Sequence, residues 1–124
     1  MARKTFPEPL PRPSSRFIAL DTASRAAASC IGIVRNCGKL PGDIGSQLSR
    51  AAVSVALNLA EGNGRKGKDR LYHFRVAYAS ANEATTALRI LVGCGIVDPS
   101  AAAQPLDLLD QVRAMTWRLM GGVG

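Results

Sequence analysis

Apolar residues along this chain fall at three-and-four spacing rather than in alternation, the signature of helices. Leu20, Ala23, Ala27, Ile31 and Val34 recur at helical intervals and Gly38 follows as a stop, which predicts a first helix over about Leu20–Cys37. Leu40-Pro41-Gly42-Asp43 reads as a turn. Asp43 is positioned to cap a second helix over about Ile44–Glu61, which ends at the Gly62, Gly64 and Gly67 cluster. The third helix, about Lys68–Val92, is on the order of 38 Å long at 1.5 Å per residue, and Gly93, Gly95 and Pro99 close it. A fourth runs from Ser100 or Leu106 to Met120, with Leu106, Leu109, Val112, Thr116 and Leu119 on one face and a glycine-rich end expected to fray. Four helices with short connections favour an all-α, antiparallel up-down-up-down four-helix bundle.

The faces of the two central helices carry more apolar surface than one core needs. On the second helix Ile44, Leu48, Ala51, Val55 and Leu59 share one side at about 100° per residue, and Val53, Ala56, Leu57 and Ala60 share another. Between them runs a narrow polar line of Gln47, Arg50, Ser54, Asn58 and Glu61. The third helix repeats this: Leu71, Phe74, Tyr78, Ala81, Thr85, Leu88 and Val92 form a core line, and Tyr72, Val76, Ala79, Ala87 and Ile90 a second stripe. Arg75, Asn82, Thr86 and Arg89 fill the slot between. A lone bundle cannot bury both stripes, so Val53, Leu57, Tyr72, Val76 and Ile90 are expected to form an interface between copies of the chain. Glu83 lies within the second stripe of the third helix, either paired with Arg50 or another base, or solvated at the stripe's rim.

Composition narrows the partners. The chain has 124 residues, enough for one core, and only 5% aromatics, which suits close helix packing through small residues. Its formal net charge of +7 is focused in two places. Residues 1–16 hold Arg3, Lys4, Arg12 and Arg16 against Glu8, and residues 62–75 hold Arg65, Lys66, Lys68, Arg70 and Arg75 against Asp69. Such focusing suits a polyanion, although solvated basic loops are also common. Pro7, Pro9, Pro11 and Pro13 make residues 1–16 read as a disordered, basic, proline-rich tail ahead of a bundle domain over residues 17–121. Cys30, Cys37 and Cys94, odd in number and without metal-ligand spacing, read as buried thiols of a cytoplasmic protein. No run approaches the roughly 18 apolar residues of a membrane span, and no apolar stretch follows the first basic residues, so no membrane association is expected.

Candidate chemistry is sparse. The single His73 has no Cys, Asp or Glu at metal-ligand spacing and reads as packing beside Tyr72 and Phe74. Ser54 lacks a strand-turn-helix elbow and would need that same histidine as its base. The stretch from Gly62 to Lys68 superficially resembles a phosphate loop, yet it departs from the nucleotide-binding pattern and follows a helix rather than a strand. It reads instead as a basic turn beside a helix N-terminus, suited to holding a phosphate. Trp117 reads as core or interface packing, and Tyr72 as part of its apolar stripe with base stacking as the alternative. No catalytic, metal or cofactor site is predicted.

Residues 47–83 carry a resemblance. Gln47, Arg50, Ala51, Ala52, Ser54, Asn58, Ala60, Glu61, Gly62, Gly64 and Arg65, then Phe74, Ala77, Ser80 and Glu83, match the pattern of the bacterial four-helix-bundle proteins called 23S rRNA-intervening-sequence proteins. The match is strong over about a third of the chain, with the first and last helices agreeing in pattern. Ala56 and Leu57 stand where the family usually has Pro-Ala, and Gly67 where a serine usually caps the third helix, departures that bear on the helix ends. The resemblance implies an antiparallel bundle assembling into a ring, typically a homopentamer, with no enzymatic activity. More distantly the chain resembles the accessory variability determinant of diversity-generating retroelements, a basic pentameric bundle that binds a reverse transcriptase and nucleic acid.

Taken together, these features predict a homo-oligomeric, non-enzymatic ribonucleoprotein accessory that binds RNA or DNA through Arg65, Lys66, Lys68, Arg70 and Arg75, with the basic tail as a second contact. Repetition of the basic turn around a ring would give avidity. The alternative is a scaffold that docks an acidic protein partner without nucleic acid; the distant resemblance separately implies a reverse transcriptase or another protein as partner.

Overall fold

The computed structural model describes residues 15–121, so Arg3, Lys4, Arg12 and the four alternating prolines lie outside the described residues. Four helices account for nearly all of what is described: α1 (Ser15–Cys37), α2 (Ile44–Asn63), α3 (Gly67–Gly93) and α4 (Pro99–Leu119), with no strand among the described residues. Consecutive helices pack on one another and α1 packs on α4, so the four close around one core. The α2–α3 contact is the most extensive.

Small residues dominate α1's share of that core. Ala19, Ala23, Ala26 and Cys30 are fully buried, against Leu48, Val55 and Leu59 of α2, Phe74, Leu88 and Leu91 of α3, and Leu109 and Val112 of α4. Burying each Leu or Phe contributes about 1.5–3 kcal/mol, while the alanines let the α1 backbone come close. α1 is already helical at Ser15, ahead of the start expected near Leu20, and its core face there rests on Ala19, too small a residue to advertise a helix. Ser15 and Arg16, expected in the tail, are therefore helical.

The other ends differ from expectation in instructive ways. Asp43 stands at the N-cap of α2 but makes no side-chain cap. Its carboxylate instead accepts from Gln47 Nε2 at 3.1 and 3.2 Å. α3 starts at Gly67, whose φ of +59° lies in the left-handed region where glycine is favoured, after an extended Lys66 that also offers no side-chain cap. α4 starts at Pro99, whose missing N–H is harmless in a first turn. It continues through the buried Pro105, which makes one helix where the sequence left two starts open.

Two composition-based expectations need correction. The window Arg16–Cys37 has the length and mean hydropathy of a membrane span, contrary to the expectation that none exists. Its alanines raise hydropathy without forming a continuous run of large apolar residues, and those on its inner side pack against α2 and α4. Of the three cysteines only Cys30 is buried, whereas Cys37 is half-buried and Cys94 is exposed just after α3 ends.

Candidate nucleic-acid interface and polar seam

The basic turn is built on a glycine. Gly62, in the last turn of α2, is buried so tightly that a Cβ would lie 2.6 Å from Phe74 Cε1 and 2.8 Å from Phe74 Cδ1. Only a backbone without a side chain lets the Phe74 ring close the core here. The Gly62 carbonyl then accepts from Arg65 N–H at 3.1 Å and from Arg70 Nε at 3.2 Å, so Arg70 fastens the start of α3 to the end of α2.

The five predicted cations divide by what holds them. Arg65 donates through Nε and Nη2 to Glu61 Oε2, at 3.0 and 2.9 Å, and through Nη1 to Asp69 Oδ2 at 2.8 Å. Hydrogen bonds to Glu61 and then Asp69 hold its pKa above the ordinary value, so it stays charged but is offset by two carboxylates. Arg70 is half-buried and spends Nε on the turn. Lys66, Lys68 and Arg75 are exposed and make no ion pair or side-chain hydrogen bond among the described residues. Beside them, Asn63 Nδ2 donates to the Arg16 carbonyl at 3.4 Å, which brings the first turn of α1 next to the α2–α3 turn. Arg16 Nη1 and Asn63 Oδ1 are buried there without a partner among the described residues.

The polar line splits in the structure. Ser54 and Asn58 turn toward α3: Ser54 Oγ meets Ser80 Oγ at 2.9 Å, Asn58 Nδ2 donates to the Ser54 carbonyl at 2.9 Å and to Ser54 Oγ at 3.1 Å, and Asn58 Oδ1 faces His73 Nδ1 at 3.0 Å. An acceptor opposite Nδ1 calls for the imidazole proton there. Ser80 and His73 thus join a seam that the helix faces alone did not reveal. Its only sequence trace is a pair of polar residues four apart on α2 opposite another pair seven apart on α3. Arg50 and Glu83 are both exposed and line a groove of about 390 Å³ with Gln47, Ser54 and Ser80, without forming an ion pair. Glu61 leaves the line for Arg65.

The expected interface residues lie on the outer α2/α3 face. Leu57, Tyr72 and Ile90 are 63%, 60% and 49% exposed, and Val53 and Val76 are half-buried. Val53 and Leu57 border a groove of about 350 Å³ with Ser49, Arg50, Ser54 and Asn58. Ala87, assigned to the same stripe, is buried instead, because it lies on the α2 side of α3.

Asn58 intervenes between Ser54 and His73, so these two do not form a nucleophile–base pair. No three His, Cys, Asp or Glu side chains gather at metal-binding distance among the described residues. Burial pushes the Cys30 thiol up to about 11, which makes it a poor nucleophile at neutral pH.

Comparison with known proteins agrees with this architecture. No curated protein matches the chain. The crystal structure of a protein of unknown function from the S23 ribosomal protein family of Bacteroides thetaiotaomicron VPI-5482 shares the fold at a TM-score of 0.80 and 12% identity, over 87% of this chain and 99% of that one. The model of the 23S rRNA-intervening sequence proteins matches residues 18–118, from the first turn of α1 to the last of α4, well beyond the segment that carries the sequence resemblance. The chain belongs to the 23S rRNA-intervening sequence protein family.

Proposed function

We propose that this chain is a non-enzymatic, cytoplasmic, homo-oligomeric bundle that binds RNA or DNA through one basic pole. The observation that carries the reading is the contact between Asn63 and Arg16. It sets the first turn of α1, with Arg16, beside the turn holding Lys66 and Lys68, so the described end of the N-terminal basic segment and the basic turn share one end of the bundle. An antiparallel course of the helices supports this: Ser54, Asn58 and Gly62 of α2 meet Ser80, His73 and Arg70 of α3, and only three residues join the two helices.

Within this reading Lys66, Lys68 and Arg75 supply most of the phosphate attraction, aided by the uncapped N-terminus of α3. Arg65 and Arg70 shape the turn and contribute less charge to a ligand. The exposed Leu57, Tyr72 and Ile90 support assembly into a ring, a pentamer as the resemblance implies, which would repeat the basic pole around a rim.

Binding of a labelled oligonucleotide, measured against salt, tests the site. Lys66→Ala, Lys68→Ala and Arg75→Ala together are expected to lower the salt slope by about 2–3, at roughly 0.7–0.9 per lost phosphate contact. Arg65→Ala should change it by less than one. An unchanged slope in the triple variant would remove the pole from the interface. The exposed Lys66, Lys68 and Arg75 also suit a second reading, a scaffold whose basic charge docks an acidic protein without nucleic acid. Partners that survive nuclease treatment in a pull-down would support that alternative.

A further inference from the structure

A second feature lies away from both the basic turn and the α2/α3 face. On the α3/α4 side, Tyr78 and Trp117 form a tilted ring pair with centroids 5.6 Å apart and planes at 44°. They edge a groove of about 420 Å³, whose remaining walls are Asp110, Arg113, Ala114 and Arg118. Trp117 keeps 36% of its surface exposed, at the edge of the α4 face on which Leu109, Val112 and Thr116 are fully buried. Ala114, one turn before Trp117, projects little and leaves room beside the ring.

The charge around this groove is organised. Arg113 is held in place by Asn82 Oδ1, which accepts from Nη1 at 3.1 Å, and by the carboxylate of Asp110. Arg118 is exposed and makes no side-chain hydrogen bond or ion pair among the described residues. Along α3, Lys68, Arg75, Asn82 and Arg89 fall seven residues apart, and such a line drifts only about 20° per heptad. Steps of seven residues correspond to about 10 Å of helix. Lys68, Arg75 and Arg89 are all exposed. A line of cations thus runs from the basic turn up α3 and passes the aromatic pair.

We infer that the Tyr78/Trp117 groove is a stacking site for unpaired bases of a single-stranded nucleic acid whose phosphates follow Lys68 and Arg75. This rests on the nucleic-acid reading above and specifies the ligand. Aromatic faces beside guanidinium groups favour flat, electron-rich rings with phosphates attached, and such rings expose their faces only when unpaired. An acidic peptide would meet Arg118, unpaired among the described residues, but would offer the aromatic pair no flat ring. In a duplex the base faces are covered by their neighbours.

Trp117 is the sole tryptophan of the chain, so its emission reports on this groove alone. The full-length protein is titrated at low salt with an oligothymidine of roughly twelve nucleotides, with the matching duplex, with an abasic strand of equal length, and with polyglutamate. Binding is followed separately by anisotropy of an end label. The expected result is quenching by oligothymidine and not by the abasic strand, duplex or polyglutamate, with the abasic strand still binding. Trp117→Ala is expected to weaken oligothymidine roughly tenfold while leaving the abasic strand unchanged, and Trp117→Phe to restore most of the loss. Should Trp117→Ala fail to fold, quenching of the wild type and the Trp117→Phe titration still decide. Equal binding of oligothymidine and abasic strand without quenching overturns the stacking site and leaves the basic pole standing. Quenching by polyglutamate as strong as that by oligothymidine overturns it in favour of a peptide. Binding of no strand at low salt overturns both.

Discussion

At the scale of single residues, Gly62 and Cys30 do opposite things with burial. Gly62 contributes absence: its missing side chain is the space the Phe74 ring occupies. Because that ring is fully buried and rigid, it cannot swing aside as a flexible side chain would. Gly62→Ala should therefore destabilise the fold by about 1–3 kcal/mol despite the better helix propensity of alanine. Urea unfolding measures this, and a stability equal to or above wild type would show that Phe74 can shift. Cys30 contributes a thiol that the interior keeps neutral. Its pKa is about 11 in the folded chain against an ordinary 9.0. Between those values the unfolded chain gives up the proton and the folded chain keeps it, so stability is complete below about pH 9 and declines as pH rises toward 11. The loss attributable to this group is up to about 3 kcal/mol. Comparing wild type with Cys30→Ala in urea melts at pH 8 and above pH 10 isolates it, since alkaline effects of tyrosine and lysine cancel. An equal alkaline loss in both proteins would show that the thiol is not responsible.

At the scale of elements, the helices themselves were legible and their ends less so. Spacing of Leu48, Val55 and Leu59, or of Phe74 and Leu88, marks a face because large side chains contrast with their polar neighbours, whereas the buried Leu91 lies outside the face expected, which ends on the half-buried Val92. The beginning of α1 lacked that contrast because alanines do its packing. Spacing leaves the start of α4 open between Ser100 and Leu106; Pro105 removes one hydrogen bond, yet packing of the surrounding turn into the core keeps the helix continuous from Pro99. The candidate site was legible as charge and not as geometry. Sequence spacing located Lys66, Lys68 and Arg75, but it could not say that Arg65 would be claimed by Glu61 and Asp69, or Arg70 by the Gly62 carbonyl. The Ser54–Ser80 and Asn58–His73 contacts were hidden for another reason. They join residues on different helices, and helical periodicity describes one helix at a time. A polar seam of this kind fixes the register of α2 against α3, because sliding either helix by a turn would leave these groups buried and unpaired.

At the scale of the whole molecule, what one chain leaves exposed bears on what several chains do. Leu57, Tyr72 and Ile90 lie outward on the two helices that pack most extensively together. Covering them requires another molecule, and a second copy is the partner always present at matching concentration. If the proposed assembly uses this face, Leu57→Glu together with Ile90→Glu should yield single chains by light scattering or native mass spectrometry. The monomer should keep its helicity, because both positions are already exposed and surface substitutions usually change stability by only about 0.5 kcal/mol. Melting should also change character: the temperature midpoint of an assembly rises with protein concentration, and that of the separated chain does not. The variant links assembly to binding as well. If copies share a basic rim, long oligonucleotides gain avidity that short ones cannot, on the order of a hundredfold. The double variant should lose that difference while its affinity for a short strand stays the same. A wild-type chain that is monomeric across micromolar concentrations would remove the interface, and with it the basis for avidity. It would leave the basic pole and the aromatic groove, each built within one chain, to account for binding alone.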